Sequence, residues 1–210
     1  MMKEKGLLLV ISGPSGAGKG TICKALLDKN DFWISVSATT RQARQGEIHG
    51  KNYYFISREE FEERIKNNDF LEYAEVYGNL YGTPKSKVIE MLEKGKDVIL
   101  EIDIQGALKV KEAFPEGVFI FILPPSMEEL KKRIIKRGSE TPESLMTRFK
   151  SAYKEINYVS KYSYAVVNDE IDEAVKKIES IVIAERCRVD RLKDTILNSK
   201  EEFIHEQLYD

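Results

Sequence analysis

The sequence predicts an α/β fold built around a parallel sheet, and two observations predict it. Four short apolar runs rich in valine and isoleucine resemble strands that are buried on both faces, as the strands of a parallel sheet are. The segments between them carry apolar residues at helical spacing, and alternation of strands and helices is typical of a layered α/β fold. The four predicted strands are residues 7–11, 98–102, 118–123 and 164–167.

Local signals mark where the predicted helices begin. Ser126 is followed three residues later by Glu129, and Ser57 by Glu60, which is the capping-box pattern in which a serine hydroxyl accepts from a backbone N–H of the first turn. Pro142 is suited to the first turn of a further helix, because proline has no N–H to leave unpaired there. Each signal falls after a predicted strand or loop, so the helices start where the alternation requires them.

The alternation breaks in one stretch, which contains several tyrosines, glycines and asparagines and two short β-like pieces at residues 53–56 and 70–76. We interpret this stretch as a small, mixed α/β insertion into the main fold. An amphipathic helix is predicted near residues 171–182, and the chain after it becomes mostly polar and charged. The predicted division is a core of residues 1–36 and 85–190, an insertion of residues 37–84, and a polar tail of residues 191–210.

Composition excludes several classes of protein. With 210 residues, 42% of them hydrophobic and 32% charged, the chain has the balance of a globular protein with one packed core. A net charge of −2 gives no overall attraction to nucleic acid or to an anionic membrane, and the apolar runs are far shorter than the roughly 20 residues that span a bilayer. Two distant cysteines do not suggest a disulfide framework. We therefore expect a cytoplasmic protein with neither nucleic acid nor membrane as a partner.

A glycine-rich loop directly follows the first predicted strand and precedes helix-favouring residues. Its glycines allow backbone N–H groups to surround a phosphate, and the following helix N-terminus favours the same anion. Lys19 is placed to bring its positive charge to the β- and γ-phosphates. The loop therefore predicts a nucleoside triphosphate site, with ATP bound by Gly13, Pro14, Ser15, Gly16, Ala17, Gly18, Lys19, Gly20 and Thr21.

The loop departs from the usual pattern at one position that concerns the metal. The pattern G-x-x-x-x-G-K-[ST] places a hydroxyl residue after the lysine to contact Mg²⁺, whereas this chain has Gly20 there and Thr21 one residue later. Mg²⁺ accepts few protein ligands and keeps several waters. We expect Mg²⁺ to enter with ATP, held by phosphates and water, with Glu101 and Asp103 as candidate carboxylates that act through water and no direct protein ligand assigned.

The acceptor is predicted to be a phosphorylated compound. The chain has only two histidines, His49 and His205, and neither lies in a pattern typical of a nucleophile or metal site. A phosphate monoester needs no general base, because it already carries an anionic oxygen nucleophile. Arginines fork onto phosphate oxygens, and two sets of them suit two phosphate sources. The first set is Arg41 and Arg44, and the second is Arg133, Arg137 and Arg148.

Successive motifs over residues 7–184 resemble those of the guanylate kinase family, in the same order and at similar spacing. They are GPSGAGKGT, SATTRQARQGE, GKNYYF, FLEYAEVYGNLYGTP, LEIDIQG, ILPPSMEELKKRIIKRGSE and VVND. The resemblance implies a P-loop NTPase fold with a parallel sheet core, a nucleoside-monophosphate-binding insertion and a helical lid near residues 133–150. It implies Mg²⁺-dependent transfer of the γ-phosphoryl group of ATP to GMP or dGMP in purine metabolism. Ala43 departs from a proline common in the family, and Glu101 from an aspartate frequent there.

The resemblance also implies individual roles. Lys19, Arg41, Arg133, Arg137 and Arg148 would be catalytic, the last three closing over the ATP phosphates from the lid side, with Asn168 near the adenine. The GMP phosphate would be bound by Ser37, Arg41, Arg44, Tyr53 and Tyr81, and the guanine by Glu72, Thr83 and Asp103. The residue types agree, because a carboxylate accepts two parallel hydrogen bonds from guanine N1–H and N2–H₂, which adenine cannot offer, and a threonine hydroxyl can donate to O6.

Alternatives remain for both residues and function. Asp103 at the end of a predicted strand also has the position of a helix N-cap, and Tyr53 and Tyr81 have the character of half-buried strand tyrosines. We interpret three other aromatic residues as helix packing: Phe149, Tyr158 and Tyr162. The rival functions are a guanylate-kinase-like interaction module that has lost catalysis, and a kinase for another phosphorylated acceptor such as AMP or a sugar phosphate. The chain is expected to be a monomer or homodimer.

Overall fold

A computed structural model describes residues 5–76, 78–136 and 142–192, including their side chains except at 136 and 142–148. Strands and helices alternate along these residues, as predicted, and a 3₁₀ helix, Asn157–Lys161, follows α6. The described elements are β1 Leu8–Ser12, α1 Lys19–Lys29, β2 Trp33–Ile34, β3 Ala38–Thr39, β4 Tyr54–Phe55, α2 Arg58–Lys66, β5 Phe70–Val76, β6 Asn79–Pro84, α3 Lys85–Glu93, β7 Val98–Glu101, α4 Ile104–Ala113, β8 Val118–Leu123, α5 Met127–Lys136, α6 Pro142–Ile156, β9 Tyr164–Val167 and α7 Ile171–Arg186.

The main sheet has the strand order β2-β7-β1-β8-β9, and all of its described pairings are parallel. β1 lies at the centre with every residue buried, since helices cover both faces of the sheet. Leu9 and Ile11 pack with the helices α1 and α7 on one face. Leu8 and Val10 pack with α3 and α4 on the other. The predicted α/β fold with a parallel core is therefore confirmed.

The edges of this sheet differ from the prediction. β9 was expected to be buried on both faces, but in this strand only Val166 is buried and Val167 is 42% exposed. β9 pairs with β8 alone among the described strands, so its other side has no sheet neighbour to cover it. At the opposite edge, β2 is a strand of two residues that the sequence did not predict.

A second, mixed sheet is formed by residues 38–84, with the order β4-β3-β6-β5. β3 pairs in parallel with β4 and antiparallel with β6, and β5 and β6 form an antiparallel hairpin. The helix α2 packs on this sheet through Phe61, whose ring stacks on Phe70 with 4.4 Å between centroids. This small sheet has its own apolar cluster, separate from the two clusters of the main sheet.

The predicted helix starts agree with the structure. The Ser57 Oγ accepts from the N–H of Glu60 at 3.1 Å, and the Ser126 Oγ accepts from the N–H of Glu129 at 3.0 Å. α6 begins at Pro142. These contacts satisfy backbone donors that the first turn of a helix leaves unpaired.

The aromatic and cysteine predictions have mixed outcomes. Phe149 packs in the α5–α6 cluster, so helix packing is confirmed for this residue. Tyr162 instead directly follows the 3₁₀ helix, and its ring meets Phe121 of the strand β8 edge-on at 4.9 Å. The same prediction for Tyr158 is wrong, because that side chain is 45% exposed and lines the cavity described below. Both cysteines carry free thiols. In the described part of the chain no helix is long and apolar enough to cross a membrane.

Two sequence predictions lie partly outside the described residues. Arg137 and residues 138–141 belong to the predicted lid and are not described. Residues 193–210 hold most of the predicted tail and are not described either. Arg148 lies in α6, whose backbone is described, but its side chain is not.

Candidate active site

The glycine-rich loop connects the carboxyl end of β1 to the N-terminus of α1, as the sequence predicts. Two of its glycines are required by close contacts and by positive φ angles. A Cβ at Gly13 (φ 143°) would lie 2.4 Å from the carbonyl oxygen of Ile122, and one at Gly18 (φ 91°) would lie 2.3 Å from the Nδ2 of Asn168. Any side chain there would displace backbone or a buried amide, so the loop can take this shape only with glycine.

Lys19 is the first residue of α1, and its ammonium group folds back over the loop. Its Nζ donates to the carbonyl oxygens of Gly13 at 2.6 Å and Pro14 at 3.2 Å. This position puts a positive charge against the loop at the N-terminus of α1, where the first N–H groups of the helix have no partner within the helix. A cation and several N–H donors that converge in this way form an anion site.

Asn168 and Arg133 support the loop from its other side. Asn168 follows β9 and is 3% exposed, and its Nδ2 donates to the carbonyl oxygen of Ala17 at 2.8 Å. Arg133 on α5 donates from Nη1 to the carbonyl oxygen of Asn168 at 3.1 Å and from Nε to Glu129 at 2.9 Å. These bonds fix the loop backbone. The expected contact of Asn168 with adenine stays a prediction.

One cavity of about 590 Å³ joins the loop to the second sheet. It opens at the carboxyl ends of β1 and β7, where open α/β sheets place their ligands. Predicted site residues in its lining are Gly13, Ser15, Gly16, Gly18, Lys19, Gly20, Ser37, Arg44, Tyr53, Glu72, Tyr81, Glu101 and Asp103. Predicted site residues that are described but are not part of this lining are Pro14, Ala17, Thr21, Arg41, Thr83, Arg133 and Asn168.

Glu72 on β5 is a carboxylate buried at one end of this cavity. It is 6% exposed, and its Oε1 accepts from the Thr83 hydroxyl at 2.7 Å. A Cβ at Gly106 would lie 2.7 Å from Oε2, so the start of α4 closes tightly over the carboxylate. Burial raises the pKa of Glu72 to about 7, although the hydrogen bond from Thr83 lowers it. The Thr83 hydroxyl hydrogen is used on Glu72, so it can reach a guanine O6 only by giving up that bond.

Asp103 lies near Glu72 and caps α4. Its Oδ1 accepts from the backbone N–H groups of Gln105 at 2.7 Å and Gly106 at 3.1 Å. The N-cap alternative is therefore confirmed. The side chain also lines the cavity, and its negative charge contributes to the raised pKa of Glu72.

The first arginine pair is organised by an acidic residue. Arg41 lies over the rings of Tyr53 and Phe55, with its Cζ 5.6 and 5.7 Å from their centroids, and its Nη2 meets Glu47 Oε1 at 2.9 Å. The other oxygen of Glu47 accepts from the N–H of Arg44 at 2.7 Å. The hydrogen bond from Arg41 lowers the pKa of Glu47, so the carboxylate stays charged. Glu47 was not predicted as a site residue, because its only signal in the sequence is a single acidic residue in a loop that carries two arginines.

Tyr53 and Tyr81 stand side by side in the cavity wall. Their rings meet edge to face with 5.9 Å between centroids, and both side chains are half-buried. Burial raises the pKa of Tyr53 to about 12, so its phenol remains protonated and able to donate. The pair combines an apolar wall with hydroxyl donors.

Glu101, at the end of β7, lies beside the start of α1. A Cβ at Gly20 would be 3.4 Å from its Oε1 and 3.5 Å from its Oε2, so the carboxylate stands close to the position where the usual pattern has a hydroxyl residue. Among the described residues no group of three or more histidines, cysteines and acids could hold a metal ion. A single carboxylate next to a phosphate loop fits Mg²⁺, which is bound in such sites by one or two carboxylates with phosphates and water.

The helix α6 contributes cavity residues that the sequence did not predict. Ser151, Lys154 and Glu155 of α6 line the cavity, and Tyr158 of the 3₁₀ helix that follows α6 lines it too. They lie within one charged amphipathic stretch, where the pattern does not separate solvated residues from functional ones. Glu155 makes direct contact with the loop, since its Oε2 accepts from the N–H of Ser15 at 3.3 Å.

Comparison with known proteins identifies the family of this chain. The family model described as guanylate kinase matches residues 5–185. A guanylate kinase of Clostridium tetani is 78% identical over 207 residues, covering 99% of this chain and 100% of the relative, and one of Clostridium acetobutylicum is 71% identical over 209 residues, covering 100% of both. The crystal structure of guanylate kinase from Anaplasma phagocytophilum superposes with a TM-score of 0.77 at 40% identity, covering 90% of this chain and 91% of that one. The chain belongs to the guanylate kinase family.

Proposed function

We propose that this protein transfers the γ-phosphoryl group of ATP to GMP and releases ADP and GDP. The observation that carries the proposal is the single cavity that joins a glycine phosphate loop with its lysine to a buried carboxylate. The relatives described above, all guanylate kinases, support the same activity. The chain is thus a nucleoside monophosphate kinase.

The ATP side is assigned to the loop at the start of α1. The backbone N–H groups of the loop and the Lys19 ammonium bind the phosphates, and Lys19 offsets charge that builds up on them during transfer. Arg133 supports the loop from α5 and is proposed to reach the phosphates. Arg137 and Arg148 are proposed to act with it from the lid. Asn168 is proposed to lie near the adenine.

The GMP side is assigned to the second sheet and the start of α4. Glu72 accepts the guanine N1–H and N2–H₂, and a base that lacks these donors would leave the buried charge unpaired. Thr83 holds Glu72 in place, and Asp103 reads the base beside it. The GMP phosphate is bound by Ser37, Arg41, Arg44, Tyr53 and Tyr81, where Glu47 orients the two arginines.

The reaction follows from how these two sides face each other. The GMP phosphate oxygen is already anionic, so it attacks the γ-phosphorus without a general base. The protein aligns the two phosphates, neutralises the charge that is shared among the transferring oxygens, and excludes water when the lid closes over the bound phosphates. Mg²⁺ bound with ATP supplies further charge neutralisation, and Glu101 is proposed to hold it through water.

Four finer statements stay predictions from sequence. They are a cytoplasmic location, a monomeric or dimeric state, the use of dGMP in addition to GMP, and the division into core, GMP-binding insertion and tail.

The acceptor assignment is tested by product formation. With ATP and Mg²⁺ present, ADP and GDP should form at equal rates with GMP, while AMP and UMP should react at least about 1000-fold less efficiently in kcat/KM, because a buried carboxylate discriminates by that order against a base without its donors. Chromatographic separation of the nucleotides gives all rates. Equal use of AMP would support the rival kinase, and no product with any acceptor would support the rival interaction module.

A further inference from the structure

A carboxylate of the protein itself occupies one N–H donor of the phosphate loop. The N–H of Ser15 donates to Glu155 Oε2 at 3.3 Å, and the other oxygen, Oε1, accepts from the Ser151 hydroxyl at 3.0 Å. Ser151 and Glu155 lie one turn apart on α6, so both oxygens are held by fixed donors. The contact links α6 directly to the loop that binds ATP.

A carboxylate and a phosphate bind such a loop through the same kind of contact. Both are anions whose oxygens accept from backbone N–H groups, and the single hydrogen of the Ser15 N–H makes one well-aligned bond. A triphosphate in the loop would also place several negative charges within a few ångströms of Glu155. Like charges at that distance repel strongly where water is partly excluded. The loop therefore cannot bind Glu155 and a triphosphate at full strength at the same time.

We propose that Glu155 acts as an internal competitor for the phosphate loop. While its carboxylate is bound to Ser15, α6 rests on the loop, and ATP enters only as Glu155 withdraws. Binding of ATP is thereby coupled to release of the contact that Glu155 makes with Ser15 from α6, the helix that begins within the predicted lid. Ser151 is a positioning residue in this device, since its hydroxyl holds the oxygen of the carboxylate that does not contact Ser15. The inference rests on the proposed function, because it concerns how ATP reaches its site.

The test is calorimetric titration of the full chain with a non-hydrolysable ATP analogue and Mg²⁺. If the contact holds the loop about nine-tenths of the time, the apparent Kd is about tenfold above its intrinsic value, and Glu155→Gln and Glu155→Ala should both tighten binding toward that tenfold limit. Ser151→Ala should tighten it less. The Kd for GMP should stay within twofold, because Glu155 is not assigned to that side. Glu112→Gln, an exposed acid on α4, removes the same charge elsewhere and should leave both Kd values unchanged.

The outcomes separate this inference from the function it rests on. If the unaltered protein does not bind the analogue, the proposed function fails. If the unaltered protein binds the analogue and the Kd of both Glu155 variants is equal to its Kd or higher, the competitor role is overturned. Glu155 then only supports the fold. Should Glu155→Ala lose its thermal unfolding transition, Glu155→Gln decides, because it keeps the shape and an accepting oxygen while removing the charge.

Discussion

Replacing Lys19 by methionine is expected to lower kcat about 1000-fold while the protein remains folded. Methionine keeps most of the length and packing of lysine but removes the charge that lies over the loop carbonyls of Gly13 and Pro14. Loss of one preorganised charged donor to the transferring phosphate typically costs 10² to 10³ in rate, and Lys19 is the lysine of the phosphate loop. The change should appear in kcat more than in the KM for ATP, because the N–H groups of the loop remain to bind the phosphates.

The measurement is steady-state production of ADP with saturating GMP. Lys24→Met is the matched control, because Lys24 lies on the same helix α1 with an exposed side chain away from the loop. Its kcat should stay within twofold of the unaltered protein. A Lys19→Met enzyme that retains kcat within tenfold would show that the ammonium group does not stabilise the transferring phosphoryl group.

Replacing Glu72 by glutamine is expected to weaken GMP binding about 100-fold while leaving the Kd for ATP within twofold. Glutamine fits the same space and can still accept from Thr83, but it offers guanine one acceptor and a misplaced NH₂ instead of two charged acceptors. Calorimetric titration with each nucleotide separately gives both constants. Equal weakening of ATP and GMP would indicate a folding defect, and unchanged GMP binding would remove Glu72 from the guanine site.

The pH dependence of the Kd for GMP, compared between the unaltered protein and Glu72→Gln, tests the same assignment independently. Burial raises the pKa of Glu72 to about 7, and guanine donors need the ionised form, so GMP binding must release a proton below that pH. The Kd for GMP should rise as pH falls from 8 to 6.5, and Glu72→Gln should lose this dependence. The GMP phosphate itself titrates near pH 6, so the comparison is made above that value.

Stability should respond to pH in the opposite sense to binding. The folded pKa of Glu72 lies above its unfolded value, so its contribution to the free energy of unfolding is fully present below pH 4.5 and is lost as pH rises through about 7. Above pH 7, the free energy of unfolding of Glu72→Gln should therefore exceed that of the unaltered protein by an amount on the order of 3 kcal/mol. The variant should accordingly unfold at a higher temperature. A lower unfolding temperature at pH 8 would contradict the burial cost assigned to this carboxylate.

The sequence predicted the elements whose signal is long and local. β8 is a run of six apolar residues and has the predicted bounds. Because both faces of the strand are buried, the apolar run begins and ends where the strand does. The phosphate loop was predicted because its glycines and Lys19 stand between a predicted strand and a helix-favouring segment within one short stretch of sequence, and Gly13 and Gly18 have the positive φ angles that glycine allows. The carboxylate of Glu72 was placed through the family resemblance, and the structure shows it buried at the cavity.

Other features could not be predicted, for physical reasons. β2 has two residues, which is too short for any periodicity, and β6 contains Gly82 and Pro84, which are unfavourable in most strands. Asp103 could be a cap or a base reader from its position alone, and the distances to Gln105 and Gly106 were needed to establish the cap. Glu155 touches Ser15 across 140 positions of sequence, and no local pattern reports such a contact.

The central claim is that ATP and GMP meet phosphate to phosphate in one cavity. Its most direct test is the binding of a linked analogue in which adenosine and guanosine are joined by five phosphates. If the claim holds, the analogue should bind at least about 100-fold more tightly than either nucleotide, because the second half binds without a further loss of translational freedom. Both ATP and GMP should then displace it competitively. Displacement by only one of them, with an affinity no better than that nucleotide alone, would contradict the claim.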